Sequence, residues 1–196
     1  MRASSACRAF IAHQEWVPRS PRCGWDPVRR RYFPYRDYKG FWTMTCGHLV
    51  RPGEDFSAGL DDAGADALFA RDLAPVELAI AEHVTAPLTQ NQGDALISLG
   101  FNEGTDCLNP AHHDPVRLIN LYRYEAFARL GPNGQIVGEI TAWDITAGVH
   151  DAGLARRRQA EGHMFCTPWP EDPIEVDAHL FDLVAMLRDD MPSAHA

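Results

Sequence analysis

The residues best suited to chemistry lie in one short stretch of the N-terminal quarter. Residues 35–48 read Tyr-Arg-Asp-Tyr-Lys-Gly-Phe-Trp-Thr-Met-Thr-Cys-Gly-His, so the carboxylate of Asp37 is followed by the hydroxyl of Thr43 and the imidazole of His48. Asp37 and the Lys-Gly pair can form a turn, and aromatic and β-branched residues follow them. This pattern predicts a β-hairpin. Polar groups held on the rigid backbone of a hairpin are a common way to build a site.

A second carboxylate, Glu15, falls at the end of a predicted helix over residues 4–16. The helix dipole disfavours an acid there, so helix propensity does not explain it. Glycoside hydrolases use two carboxyl groups: one protonates the leaving oxygen, and the other activates water or stabilises the transition state. Glu15, Asp37 and Thr43 therefore suggest glycoside hydrolysis. A solvated carboxylate is the alternative reading of Glu15, and spacing alone does not show that the three residues meet.

Helical periodicity dominates the rest of the chain, which predicts an α+β, mainly helical class. The segment 17–31 is rich in Pro, Gly and Arg and predicts a loop, and a third short strand is allowed around Phe56. Residues 61–84 predict a long helix that Pro75 should kink or divide into two abutting helices. Thr89 and Gln92 have the spacing of a capping box. The remaining predicted helices cover residues 89–104, 115–130, 138–147, 151–164 and 174–190, before a disordered tail. Asp151 can cap the fourth of these helices.

Length, composition and charge narrow the functional classes. The 196 residues suit one enzyme-sized domain, and no apolar run approaches the roughly 18 residues of a membrane span. The formal net charge is -9, yet residues 1–53 carry +7. This basic part could attract a polyanion. A solvated basic face is the favoured interpretation, so we expect neither a nucleic-acid partner nor membrane insertion.

The cysteines and one histidine cluster are the candidates for disulfides and for metal binding. Five cysteines occur without CxxC spacing, so a zinc cluster is not expected. Buried thiols are favoured, and Cys23 with Cys46 is the first pair to test for a disulfide. His112, His113 and Asp114 could bind a metal, but a solvated loop is the favoured reading. We expect no metal and no cofactor.

Several motifs, in order along the chain, resemble those of the phage-type, T4-lysozyme-like lysozymes of glycoside hydrolase family 24. That family has a helix-borne Glu followed by Tyr-x-Asp-x-x-Gly-x-x-Thr-x-Gly-x-Gly-His, which Glu15 and residues 35–48 resemble. Residues 88–104, Trp143 and the Gly-Leu-Ala-Arg-Arg-Arg-Gln-Ala-Glu of residues 153–161 are similar to its later motifs. The resemblance covers roughly residues 8–165.

The resemblance implies a single lysozyme-like domain over residues 1–196. A hairpin lobe (17–60) would be joined by a connecting helix (61–84) to a helical lobe (85–190) that packs with helix 4–16. By this resemblance Glu15 would be the general acid, Asp37 the opposing carboxylate and Thr43 the water-positioning hydroxyl. Phe101, Asn102 and Trp143 would bind the substrate, and His48 and Asp72 would form a structural ion pair.

The implied function is an inverting muramidase that cleaves the β-1,4 bond between MurNAc and GlcNAc in peptidoglycan strands, as a monomer. We expect a protein made in the cytoplasm without a signal peptide. It would act in the periplasm as an endolysin after holin release, or as a toxin delivered by a secretion apparatus. The alternative is a non-catalytic lysozyme-like module that binds glycan or serves as a phage structural part.

The chain departs from the family motif at three points, of which Thr45 predicts a narrowed cleft or an altered glycan preference, whereas the fold can accommodate the first, a longer loop. Glu15 and Asp37 are 22 residues apart, whereas the family usually separates them by about nine. Trp16 and Thr45 stand where the family has glycine, and a glycine in a strand often permits close approach by backbone or ligand.

Overall fold

The computed structural model describes residues 1–15, 19–37, 39–45 and 47–168, and within them it shows helices and short antiparallel sheets. The predicted α+β, mainly helical class is confirmed. No helix in these ranges is long and apolar enough to cross a membrane. The helices are α1 (Ser5–Glu15), α2 (Asp62–His83), α3 (Gln90–Glu103), α4 (Asp114–Asn120), α5 (Tyr124–Phe127) and α6 (Ala152–Cys166). The strands are β1 (Trp25–Asp26), β2 (Arg31–Tyr32), β3 (Tyr35–Arg36), β4 (Trp42–Met44), β5 (His48–Leu49), β6 (Arg129–Leu130), β7 (Ile136–Val137), β8 (Ile145–Thr146) and β9 (Val149–His150).

The chain divides into two compact units. One, the hairpin unit, is Arg8–Pro75; the other, the helical unit, combines Met1–Cys7 with the chain from Val76 onwards. Helices α1 and α2 each contribute residues to both units. The predicted single domain, with its lobes at 17–60 and 85–190, stays a prediction.

The hairpin unit contains a β1–β2 hairpin and a three-stranded antiparallel sheet in the order β3-β4-β5. The prediction of a loop over residues 17–31 is wrong where β1 and β2 form, because the rings of Trp25 and Tyr32 pack 4.7 Å apart across the pair. A strand around Phe56 is also wrong: β5 is the third strand, and Phe56 packs on the core instead. The buried members of that core are Tyr32, Met44, Ala65 and Leu68.

Helix α3 is the most deeply buried element of the helical unit, and α6 packs against it. The predicted capping box is confirmed, since the Thr89 hydroxyl accepts from the Gln92 backbone N–H and the Gln92 side chain accepts from the Thr89 N–H. A Cβ on Gly100 would lie 2.7 Å from Leu108, so glycine permits the close packing there. The Asp151 carboxylate accepts from the Leu154 N–H and caps α6, as predicted.

Three helix predictions need revision. Helix α2 runs without interruption through Pro75, so two abutting helices are wrong; strong helix formers flank the proline, and buried residues anchor both sides. The 115–130 segment forms the two short helices α4 and α5. Residues 138–147 form a 3₁₀ turn, Glu139–Ala142, and the first strand of the β8–β9 hairpin. The predicted helix 174–190 and tail lie outside the described residues.

Candidate active site

The turn after β3 fixes the Asp37 carboxylate. Its Oδ1 accepts hydrogen bonds from the backbone N–H groups of Lys39 (2.9 Å) and Phe41 (2.8 Å). The Asp37 N–H donates to the Phe41 carbonyl at 3.0 Å and extends the β3–β4 ladder by one pair. An aspartate that caps its own turn in this way has a set orientation. The sequence Asp-Tyr-Lys-Gly-Phe therefore builds a half-buried carboxylate into the backbone of the hairpin.

The strand register places Asp37 and Thr43 on the same face of the sheet. Tyr35 pairs with Thr43, and side chains alternate along each strand, so Asp37 and Phe41 share the face of that pair. The Thr43 side chain is buried, and its hydroxyl donates to the Phe41 carbonyl at 3.2 Å. The structure thus brings two of the sequence-predicted site residues together on one small sheet.

Glu15 is the last residue of α1, belongs to the same unit, and has an exposed side chain. The chain directly after it, residues 16–18, lies outside the described residues. All three predicted catalytic residues are therefore in the hairpin unit.

Phe41 is a candidate glycan contact in addition to the sequence-predicted site residues. Phe41 is 54% exposed, and strand alternation places its side chain on the Asp37 face. The apolar faces of sugar rings pack well on aromatic rings. Strand alternation in the sequence could have placed Phe41 on the same face as Thr43, because the two residues are two positions apart. Trp42 points to the opposite face, where the Arg36 guanidinium lies 4.1 Å from its ring centroid.

Thr45, which stands where the resembling motif has glycine, has a left-handed backbone conformation. Its φ is +43° and its side chain is buried. A β-branched residue in this region is an outlier that costs about 1–2 kcal/mol. The Tyr35 hydroxyl donates to the Thr45 carbonyl at 3.3 Å and helps hold the turn. The backbone of this turn therefore has the conformation that a glycine would favour, with a threonine in its place.

His48 belongs to a cluster of which the sequence predicts only Asp72. Its Nδ1 lies 2.9 Å from Asp72, as expected for the predicted pair, and its Nε2 lies 2.8 Å from Glu54. Arg71 donates to the other oxygen of Glu54 at 2.6 Å. Hydrogen bonds from the Arg51 N–H, above all, and from His48 lower the pKa of Glu54 to about 2. Arg71 could have been inferred from the sequence because it directly precedes the predicted residue Asp72. No sequence pattern indicates Glu54, which lies in a turn.

In the helical unit, one buried guanidinium links two of the predicted substrate-binding residues. Arg158 donates to the Asn102 side-chain oxygen at 2.8 Å, to Glu103 at 3.0 Å and to the Trp143 carbonyl at 3.4 Å. Arg158 is fully buried, whereas Phe101, Asn102 and Trp143 are half-buried. The structure therefore holds Asn102 and the backbone of Trp143 on a common support.

A buried carboxylate lies behind Arg158. Glu161 accepts hydrogen bonds from the Ser98 hydroxyl (2.6 Å), from Arg157 Nε (3.0 Å) and from an Arg158 terminal nitrogen (3.1 Å). Burial raises the pKa of Glu161, and Arg158 and Arg157 oppose that rise. Because charges buried at this depth require close partners, Glu161 determines where both arginines lie. Ser98 and Glu161 are not among the sequence-predicted site residues.

The histidine loop carries a hydrogen-bonded carboxylate instead of a recognisable metal centre. His112 and His113 approach the two oxygens of Asp106, at 2.7 and 3.2 Å, and the His113 ring packs edge-on to Trp143. In residues 1–15, 19–37, 39–45 and 47–168, no group of three or more His, Cys, Asp or Glu side chains is arranged to hold a metal ion. Asp114 pairs with Arg117.

The described cysteines include buried thiols in the helical unit. Burial raises the pKa of Cys107 to about 12 and raises that of Cys7 above its usual range. Both are therefore poor nucleophiles at neutral pH. Cys46 lies outside the described residues, so its disulfide with Cys23 stays a prediction.

The fold is that of the lysozyme-like muramidases. The muramidase domain of SpmX from Asticaccaulis excentricus superposes with a TM-score of 0.57 at 27% identity, covering 85% of this chain and 99% of that one. A variant of P22 lysozyme gives 0.60 at 26% identity, covering 84% and 98%. The model of the phage lysozyme family matches residues 29–161. This chain belongs to the phage lysozyme family.

Curated relatives include endolysins of several phages. The endolysin of Salmonella phage P22 is 37% identical over 97 residues, which cover 48% of this chain and 65% of the endolysin. The SAR-endolysin of Escherichia phage Mu is 33% identical over 131 residues, covering 66% and 68%. The chain thus spans slightly less than two thirds of the P22 endolysin that it matches.

Proposed function

We propose that this protein is a muramidase that hydrolyses the β-1,4 bond between MurNAc and GlcNAc in bacterial peptidoglycan. Family membership and the endolysin and muramidase relatives support this class of activity. One observation carries the site assignment: Asp37, oriented by its own turn, shares a sheet face with Thr43 inside the matched region. A fixed carboxylate beside a hydroxyl is suited to binding and activating a water molecule.

In the proposed reaction, Glu15 donates a proton to the glycosidic oxygen as the bond to the leaving sugar breaks. Asp37 accepts a proton from a water that attacks the anomeric carbon from the opposite face, and the Thr43 oxygen accepts a hydrogen bond from the same water. Attack by water from that face inverts the anomeric configuration. Glu15 ends deprotonated and Asp37 protonated, so a proton returns through solvent between turnovers.

Four residues are proposed to contact the glycan. Phe41 offers an exposed aromatic face beside Asp37, and Phe101, Asn102 and Trp143 supply apolar and amide contacts. Arg158 would act on binding only indirectly, because it holds Asn102 and the Trp143 carbonyl without being exposed itself.

The proposed site of action is the periplasm, and two relatives are named SAR-endolysins. A monomer could reach the wall as an endolysin released by a holin, or as a toxin carried by a secretion apparatus. In both cases the partner is the glycan strand.

Digestion of purified sacculi tests the proposal. We expect falling turbidity and soluble fragments with new MurNAc reducing ends, detected by borohydride labelling and mass spectrometry. Proton NMR of the fresh product, taken before mutarotation, should show the α-anomer if inversion is correct. Sacculus binding without new reducing ends would favour the non-catalytic module, and GlcNAc reducing ends would contradict the assigned bond.

A further inference from the structure

The β1–β2 hairpin occupies part of the long segment between Glu15 and Asp37. It lies within the 22-residue separation of Glu15 and Asp37, and the family match begins only at residue 29. Residues 16–31 contain five arginines and one aspartate, a net charge of +4 in a chain of -9. Three of these five arginines, Arg29, Arg30 and Arg31, lie in the turn of the hairpin and at the start of β2.

Side-chain and backbone contacts anchor the base of this hairpin to the hairpin unit. Tyr32 exchanges two backbone hydrogen bonds with Leu60, at 2.7 and 2.8 Å, and its ring is buried in the core. The Phe33 N–H donates to the Gly24 carbonyl at 2.8 Å, and a Cβ on Gly24 would lie 1.9 Å from the Phe33 carbonyl oxygen. Arg31 donates to the Gly59 carbonyl at 2.8 Å. The hairpin is thus built into the fold.

The turn at the far end, residues 27–30, is itself ordered by hydrogen bonds. Asp26 accepts from the N–H groups of Val28 (2.9 Å) and Arg29 (3.0 Å), and Arg30 closes the turn with φ +53°. An ordered turn loses little conformational entropy when it binds a ligand.

The turn presents its charges to solvent. Val28 is 90% exposed, and the side chains of Arg29 and Arg30 are exposed as well. Arg29 lies 3.7 Å from Asp26, a loose and largely exposed pair. Within the part of the chain that the structure describes, no acidic side chain pairs with Arg30. The Arg29 guanidinium also lies 5.3 Å from the centroid of the Phe33 ring. Arg30 therefore has an exposed charge available to a ligand and Arg29 has only weak contacts, unlike Arg19, which pairs with Asp62 at 3.0 Å.

We propose that this turn is a second substrate-binding surface, at which Arg29 and Arg30 bind the carboxylates of the peptide stems of peptidoglycan. The inference rests on the proposed function and names the part of the substrate recognised away from the scissile bond. Guanidinium groups bind carboxylates through paired N–H donors. Two arginines fit a small, repeated carboxylate ligand better than duplex DNA, which usually requires several phosphate contacts, and the chain's net charge of -9 opposes a large polyanion.

Sacculus binding by the Arg29→Gln/Arg30→Gln variant tests the proposal. Binding would be measured by depletion from solution at 4 °C, over times too short for product release. We expect about threefold to tenfold weaker binding to intact sacculi at low salt, as two exposed ion pairs would give. The loss should vanish at about 0.5 M salt, and it should be absent with sacculi stripped of peptide stems. The Arg29→Lys/Arg30→Lys variant should retain most of the binding.

The matched control is Arg123→Gln/Arg129→Gln, which removes the same charge from exposed positions in the helical unit. This control should bind intact sacculi like the wild type, and thermal unfolding of all variants verifies that they fold. Equal binding by wild type and the turn variant would overturn the inference. The inference would also be overturned if the control lost as much sacculus binding as the turn variant. The same holds if the turn variant lost binding only to anionic vesicles or duplex DNA.

Hydrolysis of soluble, peptide-free MurNAc–GlcNAc strands separates the two proposals. If wild type and the turn variant hydrolyse them equally while intact sacculi distinguish the two, both proposals hold. If both hydrolyse them equally and bind intact sacculi equally, only the turn inference fails. A wild type that releases no reducing ends would defeat the proposed function itself.

Discussion

The buried ion network of the helical unit and the Asp37 carboxylate of the hairpin unit are held in opposite ways. In the helical unit, Glu161 and Arg158 are fully buried and connect α6 to Ser98 and Asn102 on α3, more than fifty positions earlier in the chain. In the hairpin unit, Asp37 receives its hydrogen bonds from residues two and four positions later, and it lies partly in solvent. Long-range burial supports the first set, whereas a single turn supports the second.

This difference predicts different effects of substitutions in the two places. A buried ion network is sensitive to the loss of any member, because the remaining charge is then left without a partner in a low-dielectric interior. A carboxylate held by turn N–H groups can change its protonation state or lose its charge with little effect on the core. Substitutions in the buried network of the helical unit should therefore reduce stability first, whereas substitution of Asp37 in the hairpin unit should reduce activity first.

The largest stability effect is expected for Arg158→Leu. It leaves Glu161 buried with only Arg157 and Ser98, so the free energy of unfolding should fall by about 3–5 kcal/mol. Urea denaturation at pH 7 measures this. The control, Arg156→Leu on the same helix, replaces an exposed arginine and should change stability by no more than about 0.5 kcal/mol. A loss below about 1 kcal/mol for Arg158→Leu would remove the proposed contrast between the units.

A smaller, pH-dependent effect is expected for Glu54→Gln. The pKa of Glu54 is about 2 in the folded protein, below the usual 4.5, so its ionised form stabilises the fold. That contribution is complete above about pH 4.5 and is lost as the pH falls towards 2. The variant should unfold at a lower temperature than wild type at pH 6, and the difference should shrink by pH 2.5. The exposed control Glu125→Gln should show no such convergence.

The smallest effect tests the strained turn of the hairpin unit. Thr45→Gly should stabilise the protein by roughly 0.5–1 kcal/mol, since relief of the left-handed cost exceeds the entropy that glycine adds to the unfolded chain. Thr45→Ala keeps a Cβ in the same conformation and should give no gain. Chemical denaturation of both variants measures the difference. If Thr45→Ala is at least as stable as Thr45→Gly, relief of backbone strain is not the cause of the stabilisation.

Local sequence patterns predicted the parts of the molecule that local interactions determine. The β3–β4 hairpin, the Thr89 capping box and the Asp151 cap each depend on residues within a few positions of one another. The hairpin at residues 25–32 was missed because Pro, Gly and Arg dominate its composition. Its formation depends on Tyr32 reaching the core and pairing with Leu60.

Contacts between residues that are distant along the chain are not indicated by any local sequence pattern. Nothing in the turn that contains Glu54 indicates that its carboxylate faces His48, and nothing near Glu161 indicates Ser98. The continuity of α2 through Pro75 likewise depends on the buried residues on both sides of the proline, which outweigh its local cost. In each of these cases tertiary packing, and not local propensity, determined the structure.

The most direct test of the central claim is the hydrolysis rate of Asp37→Asn and Glu15→Gln on peptidoglycan, measured together with their unfolding free energies. Loss of a catalytic acid or base typically lowers turnover by about 10²–10⁴-fold. The account predicts losses of that size in both variants with stability within about 1 kcal/mol of wild type. Turnover retained in both would contradict the assignment of the site to the hairpin unit.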